Sequence, residues 1–285
     1  MEKEKHIHGF RIFKGVLGAI FTILLRPTYK NKEVIPKEGP IIVCGNHIHL
    51  LDQCLPILST KRMLHYMAKK EYFDGPFAWF FKASGCISVD REHHGGSSKE
   101  IAISVLNKGW ALGIYPEGTR NSLACKDEKL EESYELVKDI MTLKKYKKLM
   151  KKNMTLVSQY EFLKKLVESK RITSNDATFA ILDLDNYLIN LLQKGEITYE
   201  EYRDNLLLPI KFGTVSIAQK TGSTIVPYAI SGKYHILKNN LTVEFGTPFK
   251  VEENDNLEEA NEKLSSSIKD LILKSKGLLR SEERR

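Results

Sequence analysis

The sequence contains few cysteines and no long apolar stretch. Its cysteines form no Cys-x-x-Cys pair, and there are four: Cys44, Cys54, Cys86 and Cys125. So few cysteines in 285 residues do not make a disulfide framework, and reduced thiols are expected. The apolar run Val16–Leu25 has ten residues with Thr22 included, whereas a membrane-spanning helix needs ~20. No small-x-small cleavage site follows that run, which argues against a signal peptide.

Basic residues are what the sequence has in excess. It contains 44 Lys and Arg against 36 Asp and Glu, a formal charge of +8. The hydrophobic fraction of 42% and the charged fraction of 28% are those of an ordinary globular protein. A net positive charge favours anionic partners such as phosphate-bearing substrates, acidic membranes or nucleic acid. A solvated basic surface would give the same count.

Residues 1–30 combine the short apolar run with basic and aromatic side chains. The basic residues are Arg11, Lys14, Arg26 and Lys30, and Phe10, Phe13 and Phe21 lie among them. This composition is typical of a helix that lies in a membrane interface, with its basic residues toward anionic headgroups. We therefore expect a peripheral or monotopic protein at the cytoplasmic face of the cell membrane. A helix packed on the protein's own core is the alternative.

Short apolar runs rich in Ile and Val, bounded by turn residues, predict buried strands. They are Ile41–Cys44, Met63–Ala68, Cys86–Val89, Leu112–Tyr115, Ile225–Ile230 and Leu241–Phe245. Helical patterns at Lys99–Lys108 and Val215–Thr221 lie between some of them. This alternation predicts an α/β fold with a mixed, largely parallel central sheet flanked by helices, over residues 31–121 and 207–256. A charged amphipathic helix is expected over residues 257–285.

Residues 122–206 lack strand patterns and predict an all-helical insertion. Two stretches within them match at an offset of 25: Leu163, Leu166, Ile172 and Thr173 correspond to Leu188, Leu191, Ile197 and Thr198. Each copy continues as a capping box, "TSND" or "TYEE", which predicts helix, turn, helix. The segment "GEITYEEY" also resembles small helical modules with a G-x-I-T-x-E-E-[FY] core. The insertion is either a solvated helical outgrowth or a lid or docking surface.

The insertion also contains "KKYKKLMKK", with six lysines in nine residues. Nucleic-acid binding would be one use of such a segment. However, Tyr146 is the one aromatic residue among the lysines, and no recognisable nucleic-acid module surrounds them. We therefore expect no nucleic-acid partner. Anionic lipid or an acidic carrier protein fits the lysines better.

The segment "HIHLLD" brings His47, His49 and Asp52 within six residues. One interpretation is a metal site, but metallo-β-lactamase-type hydrolases place Asp and His where this chain has Leu51 and Asp52, and no second spaced pair of ligands is visible. Another is a catalytic dyad, in which Asp52 orients His47 and stabilises its imidazolium. A chance pairing without function is the third. The pair alone does not decide among them.

Three further segments contain residues suited to binding a substrate. In "GIYPEGTRN", Glu117, Gly118, Thr119 and Arg120 follow a predicted strand, and a guanidinium beside free backbone amides suits a phosphate. The same residues could form a turn with a surface salt bridge. In "GCISVDR", Arg91 follows another strand. In "IVPYAI", Pro227 lacks an amide proton, which predicts an edge strand or a bulge.

In this order, the segments resemble the glycerolipid (lysophospholipid) acyltransferase family typified by 1-acyl-sn-glycerol-3-phosphate acyltransferases. The resemblance covers roughly residues 10–121 and 207–250. The matching positions are Asn46, His47 and Asp52 for the first motif, Gly85, Ile87 and Arg91 for the second, Pro116 to Arg120 for the third, and Val226 and Pro227 for the fourth. "MAKKEYF", with Lys70, is similar to the family's lysine-bearing segment. The bulky His49 departs from the pattern, as do the more than 100 residues between the third and fourth motifs.

The resemblance implies an O-acyltransferase. In such an enzyme His47 removes a proton from the sn-2 hydroxyl of lysophosphatidic acid and Asp52 holds His47. The alkoxide attacks acyl-CoA or acyl-acyl carrier protein and gives phosphatidic acid. The implied substrate-binding residues are Arg91, Glu117, Gly118, Thr119, Arg120, Lys70 and Pro227. No metal or cofactor is expected, because the thioester is already activated. The alternatives are another lysolipid acceptor, or a non-catalytic membrane lipid-binding protein of the same fold.

Overall fold

A computed structural model describes residues 7–76, 78–89 and 96–279 of the chain. The chain divides into two compact units. The first comprises Met1–Asn46, Leu50–Pro116 and Ile210–Arg285, and the second comprises His47–His49 and Glu117–Pro209.

The first unit is built on one sheet. Within the described ranges its seven strands are β1 (Thr28–Lys30), β2 (Ile41–Gly45), β3 (Leu64–Lys69), β4 (Ile87–Val89), β5 (Ala111–Ile114), β6 (Thr224–Gly232) and β7 (Leu241–Phe245). Their order is β1-β7-β6-β2-β5-β3-β4. Every neighbouring pair is parallel except β6 and β7. The predicted fold class is therefore confirmed.

Helices connect or flank these strands, and others form the second unit. In chain order they are α1 (Ile7–Leu25), α2 (Cys54–Ser59), α3 (Glu71–Asp74), α4 (Ala78–Ala83), α5 (Gly96–Asn107), α6 (Asp127–Tyr134), α7 (Leu143–Asn153), α8 (Val157–Glu168), α9 (Ser174–Ala180), α10 (Leu184–Lys194), α11 (Tyr199–Asp204), α12 (Gly213–Thr221) and α13 (Leu257–Ser275). Short 3-10 turns lie at Lys32–Val34, Leu123–Cys125 and Ile181–Asp183.

The sheet forms where continuous apolar runs predict it. Every residue of β2 is buried, as expected for a parallel strand covered on both faces. All six predicted strands are present, with ends that differ by at most two residues. The short strand β1 was not predicted, because Thr28–Lys30 has no apolar run and its outer two residues are exposed.

Pro227 lies in the interior of the sheet, so the edge-strand alternative is wrong. It pairs with Cys44 of β2, and β7 lies on the other side of β6. The extra residue of a bulge is present, but on the facing segment and not in β6. Tyr228 pairs with Phe245, whereas Ile225 forms a bridge with Phe249. From residue 225 to residue 228 there are three steps, whereas from residue 245 to residue 249 there are four. The facing segment therefore has one extra residue opposite Pro227, whose nitrogen has no proton to donate to it.

The N-terminal helix α1 has one packed face and one exposed apolar face. Phe10 and Leu25 are buried, and the Lys14 ammonium donates to the Thr60 carbonyl. On the exposed face four aliphatic residues follow helical spacing: Ile12, Val16, Ile20 and Ile23, with exposures of 71%, 60%, 46% and 61%. The packed face confirms contact with the protein's own core, whereas contact of the exposed face with a membrane stays a prediction. In the part of the chain that the structure describes, no helix is long and apolar enough to cross a membrane.

The second unit contains helices, turns and loops, and no strand within its described residues. The predicted repeat is confirmed as two helix–turn–helix pairs, α8–α9 and α10–α11. Thr173 and Asp176 form one reciprocal capping box, and Thr198 and Glu201 form the other. In α7 the lysines are exposed while Tyr146 and Met150 are buried. The interval 122–206 and the other predicted domain limits stay predictions.

Candidate active site

The motifs follow the carboxyl ends of the parallel strands. Asn46 follows β2, Lys70 follows β3 and Pro116 comes two residues after β5. In parallel α/β sheets, ligands bind at this end of the strands. Lys70 is exposed at the start of α3. Arg91, expected after β4, lies outside the described residues.

The Asn46 side chain continues the strand pairing of β2 through its amide group. Its Nδ2 donates to the Ile230 carbonyl at 2.9 Å, and its Oδ1 accepts from the Ile230 amide at 2.7 Å. The residue is 5% exposed. Only a side chain with both a donor and an acceptor satisfies both groups of one backbone residue. The structure therefore explains an asparagine directly before His47.

In the second unit, the backbone of His47 is held by the segment that follows β5. The Glu117 Oε1 accepts from the His47 amide at 2.8 Å, and the Asn121 amide donates to the His47 carbonyl at 2.6 Å. The other oxygen of Glu117 accepts from the Leu208 amide at 2.9 Å. Glu117 is 3% exposed. Within the second unit, His47 of the first motif and Glu117 of the third are thus joined by a hydrogen bond from a backbone amide to a buried carboxylate.

The rest of the third motif forms a tight turn. Gly118 has a φ of 69°, a left-handed conformation that favours glycine. The Thr119 hydroxyl accepts from the Lys126 ammonium at 2.6 Å, and the Arg120 guanidinium lies 3.5 Å from the Cys125 Sγ. Two basic side chains, Arg120 and Lys126, therefore lie at this turn within the second unit, and such groups suit an anion.

Asp52, in the first unit, is completely buried two residues before α2. Its Oδ1 accepts a hydrogen bond of 2.6 Å from the hydroxyl of Tyr234, which follows β6. Burial, together with the nearby Asp52 carboxylate, raises the pKa of Tyr234 well above 10.0. The phenol therefore remains a neutral donor at physiological pH. Nothing in the sequence pattern around Tyr234 predicted this contact.

Three more tyrosines, Tyr66, Tyr115 and Tyr228, cluster beneath the carboxyl ends of the strands. Their hydroxyls are buried, and the rings of Tyr66 and Tyr115 lie 5.5 Å apart. Burial raises the pKa of all three, and the Asp52 carboxylate adds to the effect at Tyr115 and Tyr228. They thus form a layer of neutral phenols close to Asp52.

Two glycines make room for this tyrosine layer. A Cβ on Gly45 would lie 2.6 Å from the Tyr228 ring, and a Cβ on Gly113 would lie 2.3 Å from the Tyr66 ring. Sequence reasoning missed this layer. A signal for it exists, because a glycine within a strand marks a close approach by another group, and both "IIVCG" and "ALGI" contain one.

The remaining predicted residues are placed more simply. His47 and His49 are both half-buried, and Pro227 is buried in β6. Within the described residues no group of three or more His, Cys, Asp or Glu side chains could hold a metal ion.

Comparison with known proteins connects this geometry to a family. The Acyltransferase family model matches residues 26–231. The chain is 36% identical over 116 residues to the 1-acyl-sn-glycerol-3-phosphate acyltransferase of Bacillus subtilis and 30% identical over 128 residues to that of Streptococcus pneumoniae. These matches cover 39% and 42% of this chain and 58% and 48% of those proteins. The chain thus spans about half the length of the curated relatives it matches.

A solved structure shares the fold. The crystal structure of the 1-acyl-sn-glycerophosphate (LPA) acyltransferase PlsC from Thermotoga maritima superimposes with a TM-score of 0.56 at 15% identity. The superposition covers 97% of this chain and 84% of the other. With the family model matching more than two thirds of the sequence, the chain belongs to the Acyltransferase family of enzymes.

Proposed function

We propose that the protein transfers a fatty acyl chain from an acyl thioester to the sn-2 hydroxyl of lysophosphatidic acid, which gives phosphatidic acid. The curated relatives are named 1-acyl-sn-glycerol-3-phosphate acyltransferases, which supports this acceptor. The donor would be acyl-CoA or acyl-acyl carrier protein.

The chemistry needs one group that first accepts and later returns a proton. The His47 imidazole would take the hydroxyl proton as the alkoxide forms a bond to the thioester carbonyl carbon. The carbon–sulfur bond then breaks, and the imidazolium returns the proton to the leaving thiolate. Asp52 would orient the imidazole and stabilise its charged form, as carboxylates do in hydrolytic triads.

The observation that carries this proposal is how firmly the chain is held around the proposed base. Asn46 is fixed by two side-chain bonds to Ile230, and the backbone of His47 is fixed by Glu117 and Asn121. A catalytic base must lie within hydrogen-bond reach of the proton it removes, so its backbone has to be held in place. Glu117 would contribute through the His47 amide rather than by contact with an anionic acceptor.

The positively charged side chains at the turn of the third motif would bind the substrate. Arg120 and the backbone around Gly118 and Thr119 would bind the acceptor phosphate, and Lys126 adds charge through its bond to Thr119. Arg91 and Lys70 would supply further charge. Pro227 would shape the sheet nearby.

The exposed apolar face of α1 supports the proposal that the protein binds to a lipid surface. Its four exposed aliphatic residues would enter the acyl region, as in other interfacial helices. We propose peripheral or monotopic association with the cytoplasmic face of the membrane, where acceptor and product are found.

The test is phosphatidic acid formation by the purified protein in detergent, from lysophosphatidic acid and either thioester donor. His47→Ala should lower kcat by about 10²–10⁴-fold, the contribution of a general base. His235→Ala, a histidine outside the four motifs, is the matched control and should lower kcat far less than His47→Ala. Full activity of His47→Ala would remove His47 as the base. Lysophosphatidic acid binding without product from either donor would favour a lipid-binding protein.

A further inference from the structure

We infer that Tyr234 is a positioning residue for catalysis, which acts by fixing the Asp52 carboxylate. The inference rests on the proposed function, because it assigns Tyr234 a role through the dyad of His47 and Asp52. Tyr234 lies outside all four motifs and more than 180 residues beyond Asp52.

The contact has the geometry of a strong hydrogen bond. The distance of 2.6 Å between the Tyr234 hydroxyl and the Asp52 Oδ1 is within the range for a hydroxyl that donates to a carboxylate. Asp52 is completely buried, so water does not compete for this oxygen. In this bond the Tyr234 hydroxyl is the donor and the Asp52 oxygen is the acceptor.

The bond restricts which way the carboxylate can face. With Oδ1 engaged by Tyr234, rotation of the carboxyl group about its last side-chain bond would break a buried hydrogen bond. The other oxygen therefore keeps one direction. A carboxylate that holds an imidazole in one orientation needs such a restraint. Loss of the corresponding partner at metal sites lowers activity about 10- to 100-fold, and we expect a loss of similar size here.

A structural role is the competing explanation, since a buried phenol also needs an acceptor. The chain contains a matched control. The Tyr29 hydroxyl donates at 3.0 Å to the carbonyl of Leu55, which lies within α2 and three residues after Asp52. Tyr29→Phe therefore removes a comparable, partly buried hydrogen bond to a backbone atom and leaves the Asp52 carboxylate untouched.

The first experiment is a kinetic double-mutant cycle. Tyr234→Phe should lower kcat about tenfold or more with the acceptor KM unchanged, while Tyr29→Phe should leave both constants unchanged. In an Asp52→Asn background, Tyr234→Phe should lower kcat by less than about twofold, because Tyr234 acts through the carboxylate that this background lacks. The inference is overturned if Tyr234→Phe keeps native kcat, or if its loss is the same in both backgrounds.

A second measurement does not depend on the acceptor. In protein with ¹³C- and ¹⁵N-labelled histidine, the NMR ring signals of His47 are compared at one pH between the native chain, Tyr234→Phe, Tyr29→Phe and Asp52→Asn. The partner of an imidazole sets its tautomer and orientation, so Tyr234→Phe should move the His47 signals toward those of Asp52→Asn and Tyr29→Phe should not. Unchanged His47 signals in Tyr234→Phe would overturn the inference. Moved signals in a chain that forms no phosphatidic acid would retain it and refute the proposed reaction.

Discussion

Replacement of Asn46 by aspartate tests the most specific contact at the site. The Asn46→Asp change keeps the size and one acceptor oxygen. It removes the donor that binds the Ile230 carbonyl at 2.9 Å and places an anionic oxygen against that carbonyl. The lost bond and the unsatisfied buried carbonyl together cost about 2–4 kcal/mol of the free energy of unfolding. Since a domain of this kind has ~5–15 kcal/mol, the variant should still fold.

The size of this defect should depend on pH. Burial and the facing carbonyl raise the pKa of the introduced carboxyl group in the folded state above the ~3.9 of an unfolded chain. The folded state then binds a proton that the unfolded chain has lost, so stability falls as pH rises from about 4 through the raised pKa. Below about pH 4 the protonated carboxyl can donate to Ile230 again, and the defect should shrink.

Urea unfolding at several pH values, with kcat measured in parallel, checks the reasoning. Asn239→Asp is the control. Asn239 is exposed, and its Oδ1 accepts a hydrogen bond from the Thr28 hydroxyl, which an aspartate oxygen can also accept. That variant should stay within about 0.5 kcal/mol of the native chain at every pH. If Asn46→Asp and the native chain unfold at equal urea concentrations, or if their difference does not change with pH, the paired amide does not hold this segment.

Two further predictions concern the second unit and the first helix. Glu117→Gln keeps one acceptor oxygen for two backbone amides, so about 1–3 kcal/mol of stability and part of kcat should be lost as the backbone of His47 loosens. Unchanged kcat in that variant would separate Glu117 from catalysis. Ile12→Ser combined with Ile23→Ser should reduce binding to anionic vesicles by at least about tenfold, since each buried isoleucine contributes ~1.5–3 kcal/mol. In flotation assays Phe179→Ser, which changes an exposed apolar residue of the second unit, should bind like the native chain, and equal binding by the double variant would contradict the membrane role of α1.

The sheet and the repeat could be predicted because their signals are local. Apolar β-branched runs such as Ile41–Cys44 indicate a buried strand without knowledge of its partners. The capping boxes at Thr173 and Thr198 need only four residues each. The placement of Pro227 was half wrong for the same reason: a missing amide is visible in the sequence, but the bulge opposite it lies on another strand.

Contacts between distant residues could not be predicted. Tyr234 meets Asp52 across 182 positions, and no periodicity connects them. The Tyr228 ring of β6 fills the space that a side chain at Gly45 would occupy. The reason for a glycine at this position therefore depends on a strand far along the chain. The predicted roles of Lys70, Thr119 and Arg120 stay predictions, because they depend on how a substrate binds.

The order of strands in the sheet has a consequence for synthesis of the protein. The fully apolar strand β2 pairs with β5 on one side and β6 on the other, but residues 115–223 separate β5 from β6. At ~5–20 residues per second, a ribosome needs roughly 5–20 seconds to make that segment. Throughout that interval one edge of β2 has no partner, and an unpaired apolar edge is prone to aggregation. The helical insertion thus delays closure of the sheet, so the nascent chain should depend on chaperones more than a relative with a short connection.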